Sequence, residues 1–327
     1  MNFLKNISRG EQIAITIVVF LIFLILPLCI GLMYYHTGLT LKQQISSQLE
    51  GERSVASSAI QIKLNHLTDI ASSMAALPKV TTDATAGQWA GAADAIRDAE
   101  NAVSFYDTYI DRVVLFDGNG VEQSAYPTLT GGIGTNASNA SWYAAARQTG
   151  TTVVSSVTKR GAIPSFDIID IATPIKNDNT IVGFIVLQIP TRNFLDFNNA
   201  LSMGTYGFSY IVDSEGNIVA HPRYSSSDLI NLASSAPVKN ILAGQSGTMI
   251  TSNTSENQDN FLVYGQIPNY NWGIVIQEPY DDIFAPYESM MKTMEIVEVM
   301  LGAIDILICY LVFRFIDFRR KKAAEMK

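Results

Sequence analysis

Side chains able to carry out covalent or metal chemistry are few and scattered in this chain. Its histidines are His36, His66 and His221, and its cysteines are Cys29 and Cys309. A structural or catalytic zinc site gathers such residues at short spacings, and these are far apart. There is no Gly-x-Ser-x-Gly elbow, no His-Glu-x-x-His pair and no phosphate-binding loop ending in Gly-Lys-Ser/Thr. No catalytic residue, metal or cofactor is therefore expected. Asp117-Gly118-Asn119-Gly120 starts like a calcium loop, but Thr128 stands where the twelfth-position glutamate belongs, so it reads as a hairpin turn. What remains is noncovalent recognition. Alternation along 166–172 puts Phe166, Ile168, Asp170 and Ala172 on one strand face. A carboxylate among apolar neighbours can bind a cationic or amide group, cap a turn, or pair with Arg160.

The composition excludes other classes. Hydrophobic residues make up 48% of the 327 and charged residues 16%, the reverse of a disordered chain. A net charge of −8 argues against nucleic acid as a partner. The mean hydropathy of +0.17 directs attention to membrane segments. Residues 13–35 hold no charge and end in Tyr34-Tyr35, which predicts a first transmembrane helix. Residues 296–315 predict a second, with Asp305 near its middle, where an ionisable group implies a helix neighbour. Lys5 and Arg9 precede the first span, and Arg314, Arg319, Arg320, Lys321 and Lys322 flank the second. Positive flanks stay in the cytoplasm, so residues 1–12 and the basic tail 316–327 face inward and 36–295 face outward. The outer segment has 14 basic against 25 acidic residues, a net −11, and no cysteine.

From Thr40 to Leu77 the pattern is helical, with Ile60, Leu64, Leu67, Ala71 and Met74 along one face and Pro78 as the stop. This is a stalk helix over 36–79. A second helix is expected over 88–109. Short β-rich runs follow, and they repeat. Val113–Val121 carries a D-x-x-G turn, and Tyr210–Ile218 carries another 96 residues on. Gly150-Thr151 opens the run TTVVSSV, and Gly247-Thr248 opens TMITS. Thr173-Pro174-Ile175 leads by a turn to Gly183–Leu187, as Ile267-Pro268 leads to Trp272–Ile276. Three features in the same order predict two copies of one small module, each an antiparallel sheet with helices.

This layout resembles the double Cache (dCache) sensor domains of bacterial receptors. The resemblance rests on Ser141-Trp142-Tyr143-Ala144-Ala145-Ala146, on Ile171–Ile175 before Val182-Gly183, and on Gly207–Asp213 through Ala220-His221-Pro222. It implies an α+β fold: a long N-terminal stalk helix and two PAS-like antiparallel-sheet modules, flanked by two transmembrane helices. The membrane-distal module covers 80–199, the proximal module 200–284 and a connector 285–295. It further implies a non-enzymatic sensor whose distal module holds a small ligand, with Trp142 and Tyr143 at pocket positions. Amino-acid-binding members carry an arginine two residues before the tryptophan and an aspartate on the strand after Val-Gly. Here those places hold Ala140 and Gln188, so an α-amino acid bound in that manner is not expected. Gln188 suits a neutral polar group. Asp170, Tyr126 and Tyr106 are further pocket candidates. A homodimer is expected, together with a cytoplasmic output domain or partner protein absent from this chain. The competing reading is a ligand-free Cache-fold adhesion, scaffold or partner-sensing membrane subunit. The Gly131–Ser141 stretch reads as a mobile loop able to close over a ligand.

Overall fold

The computed structural model describes residues 8–101, 107–199, 207–224, 229–253 and 258–325. It divides into two compact units, Gln48–Tyr280 and the pair of segments Met1–Ser47 and Asp281–Lys327. Helix α1 (Arg9–Ala75) contributes to both. Within the larger unit the stripe read from sequence is its buried face: Ile60, Leu64, Leu67, Ala71 and Met74 are all fully buried. Pro78 opens α2 (Pro78–Thr85), where its missing N–H leaves no helical acceptor unmatched. Helix α3 (Trp89–Asn101) follows.

Strands β1 (Arg112–Asp117), β2 (Glu122–Tyr126), β3 (Val153–Val154), β4 (Thr158–Lys159), β5 (Asp167–Asn177) and β6 (Thr180–Pro190) form the first sheet. Its order is β2-β1-β6-β5-β3, with β4 also on β5. Helix α4 (Ser141–Thr149) lies between β2 and β3 in sequence. A short turn of helix and α5 (Leu195–Asn199) lead to the second module. There β7 (Phe208–Val212), β8 (Ile218–Ala220), α6 (Ala236–Leu242), β9 (Gly247–Asn253), β10 (Gln258–Ile267) and β11 (Trp272–Pro279) build a sheet ordered β8-β7-β11-β10-β9. All pairings are antiparallel. The repeat is thus one strand order used twice. Its D-x-x-G turns match as well: Gly120 and Gly216 sit at φ 79° and 83°, the left-handed region that favours glycine.

The first sheet is buried on both faces. Val113, Leu115, Ile169, Ile171, Ile185, Leu187 and Ile189 pack with α1, α2 and α3. Val114, Phe116, Ala172, Phe184 and Val186 face α4. Of the run TTVVSSV only Val153–Val154 are strand, as β3, and β4 begins just after it. Between the two, Ser155 N–H still bonds to the Asp170 carbonyl of β5, while Val157 N–H turns to Asp213.

In the smaller unit, α7 (Tyr280–Glu325) contains Tyr287–Arg319, long and apolar enough to cross a membrane. That is wider than the 296–315 span expected. It is one such segment among the described residues; the other expected span, 13–35, is helical within α1. Asp305 is buried, with the Cys309 thiol donating to its Oδ1 at 3.6 Å.

Candidate functional site

Along β1, β6 and β5 every second side chain turns toward α4. In that set Arg112 stands opposite Gln188, and Gln188 opposite Asp170, so three polar residues form one row across three strands. The next row is apolar: Val114, Val186 and Ala172. The polar row borders a cavity of about 240 Å³. Its other walls are Trp142 of α4, the Thr135–Ala140 stretch, and Thr158–Lys159 with Gly161 and Ala162.

The electrostatics of this cavity are lopsided. The Arg112 guanidinium is buried and already taken. It donates to Glu122 Oε1 at 2.6 Å and to the Pro127 carbonyl at 3.1 Å. Lys159 pairs with Asp167 at 3.0 Å. Arg160, one candidate partner for Asp170, pairs instead with Asp111 and donates to the Pro164 carbonyl. Among the described residues no cation is paired with Asp170. Burial pushes its carboxyl up to about 7, and a hydrogen bond from the Gln188 amide pulls the other way. Among the described residues Asp170 Oδ1 and Gln188 Oε1 are buried acceptors with no donor. Leaving a buried acceptor unmatched costs about 1–3 kcal/mol. Two of them side by side can accept from N–H or O–H groups that enter the cavity.

Of the residues expected at a pocket, Trp142, Asp170 and Gln188 line this cavity together. Tyr143, next to Trp142 on α4, is not among its lining residues. Its ring packs on Phe184, and its hydroxyl donates to the Gly118 carbonyl at 2.8 Å. Tyr126, at the end of edge strand β2, is 45% exposed and also off the wall. Tyr106 falls outside the described residues. Trp142 is buried between Phe116 and Phe184, ring centroids 5.1 and 5.7 Å away, so much of its surface serves packing. The Gly131–Ser141 stretch is pinned, contrary to the mobile loop expected. Gly134 N–H donates to Glu122 O at 2.8 Å, Glu122 N–H to Thr135 O at 2.8 Å, and Ala137 N–H to Gly120 O at 2.7 Å.

Sequence reasoning missed Arg112, Glu122 and Lys159. Alternation held the signal for the first, since Arg112, Val114 and Phe116 share one face of β1. Nothing in the spacing brings Glu122 or Lys159 to them. A larger, more open groove of about 790 Å³ runs past Thr68, Ser72, Thr152, Thr173 and Tyr270. Its hydroxyls satisfy one another, Ser72 with Thr152 at 2.7 Å and Thr152 with Thr173 at 2.8 Å. It offers no orphaned acceptor among the described residues, so the smaller cavity is the candidate site.

No curated protein matches this sequence. Solved structures do match by fold. The ligand-binding domain of the Pseudomonas fluorescens chemoreceptor CtaA, in complex with L-isoleucine, superposes at a TM-score of 0.57 with 17% identity, covering 76% of this chain and 98% of that one. The ligand-binding domain of the Pseudomonas aeruginosa PAO1 amino acid chemoreceptor PctB, in complex with L-Arg, gives 0.56 and 18%, covering 74% and 98%. The periplasmic sensory domain of the Campylobacter jejuni chemoreceptor Tlp1 gives 0.57 and 14%, covering 75% and 99%. At such identities the likeness is one of fold. The family profile of the Cache domain, in its double (dCache) form, matches residues 37–287. With two modules of one strand order, a long leading helix and a profile match over most of its length, the chain belongs to the Cache domain family.

Proposed function

We propose that this chain is the extracytoplasmic small-molecule sensor of a transmembrane receptor, with its ligand in the cavity of the first module. In this reading helices 13–35 and 296–315 span the membrane, 36–79 is the stalk, 80–199 the distal and 200–284 the proximal module. Exposed apolar side chains along both helices, Leu28, Leu32, Val299 and Ile306 among them, support two lipid-facing spans. A homodimer passes ligand occupancy through the stalk and second span to a cytoplasmic output or partner protein. The sensor itself does no catalysis.

The observation that carries the ligand reading is the pair of donor-less buried oxygens, Asp170 Oδ1 and Gln188 Oε1, on one cavity wall. They fit a small ligand presenting an ammonium, amidinium or amide N–H group. The carboxylate end of an α-amino acid finds its two nearby cations held by Glu122 and Asp167. A zwitterionic amino acid is the second reading, favoured by the presence of Arg112 and Lys159 on the wall and by the ligands of the CtaA and PctB structures.

A thermal-shift screen of the full chain in detergent tests both, using C2–C6 monoamines and diamines beside the proteinogenic amino acids. A binder at 100 times its Kd adds about 2.7 kcal/mol, a rise of a few degrees. Amine hits lost in Gln188→Ala support the first reading. Hits confined to α-amino acids replace it with the second. Silence across both sets, in a chain that melts cooperatively, favours a ligand-free scaffold.

A further inference from the structure

The two D-x-x-G turns do the same local work, but one of them also reaches across the molecule. Asp117 Oδ1 accepts from the Asn119 and Val121 N–H groups at 2.8 and 3.0 Å, and its Oδ2 accepts from the Gln123 side chain at 2.9 Å. Asp213 Oδ1 likewise accepts from the Glu215 and Asn217 N–H groups at 2.8 and 2.9 Å. Its Oδ2 accepts from the Asn217 side chain at 2.9 Å and from the backbone N–H of Val157 at 2.7 Å, 56 residues earlier and in the other module. The first turn closes without any bond outside its own module. The Val157 bond is therefore an addition to turn building. It is fully buried, and bonds to a carboxylate are shorter and stronger than neutral ones.

Val157 sits in the break between β3 and β4. On one side of it, Ser155 N–H donates to the Asp170 carbonyl at 2.8 Å, and Ser155 Oγ accepts from the Asp170 N–H at 2.9 Å. On the other side, Thr158 and Lys159 line the cavity. One part of the cavity wall thus hangs on a segment whose central N–H is gripped by the second module. From Asp213 the connection continues in regular structure. Strand β7 pairs with β11 through Ile211↔Ile274 and Tyr210↔Val275, and β11 runs into α7 at Tyr280 with no intervening residue.

We propose that Asp213 is a positioning residue for the cavity, setting the Ser155–Lys159 segment against Asp170 so that a change in the wall moves the β7–β8 turn. The inference rests on the cavity being the ligand site, and its test uses no ligand. Hydrogen–deuterium exchange is measured on the full chain in lipid nanodiscs, with Asp170→Asn as the disturbance in the cavity. Exchange changes of about threefold or more are expected in 153–172 and, across the joint, in 208–220 and 272–279. Asp213→Asn keeps one acceptor oxygen for the turn and presents an amide N–H₂ to Val157. It raises Val157 exchange about tenfold, and Asp170→Asn then alters the local segment alone. Val157→Pro removes the donor, leaves the Asp213 turn intact, and gives the same uncoupling. Asp117→Asn, in the matching turn of the first module, leaves transmission in place. Transmission that survives both Asp213→Asn and Val157→Pro overturns the proposal, as does equal uncoupling by Asp117→Asn. Should Asp213→Asn lose protection throughout β7–β11, Val157→Pro decides alone. A failed ligand screen leaves this result standing, so the two readings fail separately.

Discussion

At the scale of single residues, Asp170 makes the site responsive to pH. Its carboxyl is held up at about 7 by burial. A cationic ligand needs the ionised form, so we predict that affinity for a monoamine rises between pH 6 and 8 and then levels off, while Asp170→Asn gives a flat profile; calorimetric titration reads both. The empty protein moves the other way. The folded state keeps this proton above the pH at which the unfolded chain releases it, so stability falls as pH rises from about 4 to about 7. The loss approaches roughly 4 kcal/mol for this group, and melts of Asp170→Asn should lack that slope. Asp170's side of the strand was readable from alternation, because β5 pairs on both sides and keeps its pleat. Tyr143 was not readable. Its place beside Trp142 in the sequence puts the two about 100° apart around α4, and only the fold decides which of them meets the cavity.

At the scale of elements, the repeat was legible because turn chemistry and strand order recur together. The shortness of β3 was not, since TTVVSSV has strand-forming residue types throughout and only Val153–Val154 of it join the ladder. What interrupts it is an acceptor 56 residues away, at Asp213. The pinning of 131–141 was hidden for a similar reason: its bonds run to Glu122 and Gly120 backbone, and composition is blind to backbone partners. Gly183 shows how one residue sets an element's neighbour. A Cβ there would lie 2.5 Å from the Phe116 carbonyl oxygen and 2.6 Å from the Trp89 ring. We predict that Gly183→Ala forces α3 away from β6 and costs about 1–3 kcal/mol, seen as a lowered denaturation midpoint with an unchanged slope.

At the scale of the whole molecule, the family was legible from three short motifs and one repeat, whereas the ion pairs that occupy Arg112 and Lys159 are encoded by no motif. The two spans proposed above predict that the full chain stays in the membrane pellet after alkaline carbonate extraction. Release into the supernatant would contradict the two-pass reading. The donor-less oxygens at Asp170 and Gln188 have a further consequence, for the life of the protein in the cell. A ligand that binds only the folded state adds stability, and a kcal/mol or two is enough to change steady-state abundance several-fold through proteolysis. We predict that the empty protein is cut faster than the occupied one in pulse proteolysis, and that Gln188→Leu narrows the difference by removing one acceptor. On the proposed reading, scarcity of a ligand thins the population of molecules as well as emptying them, so their number becomes a slow record of what the cell has recently met.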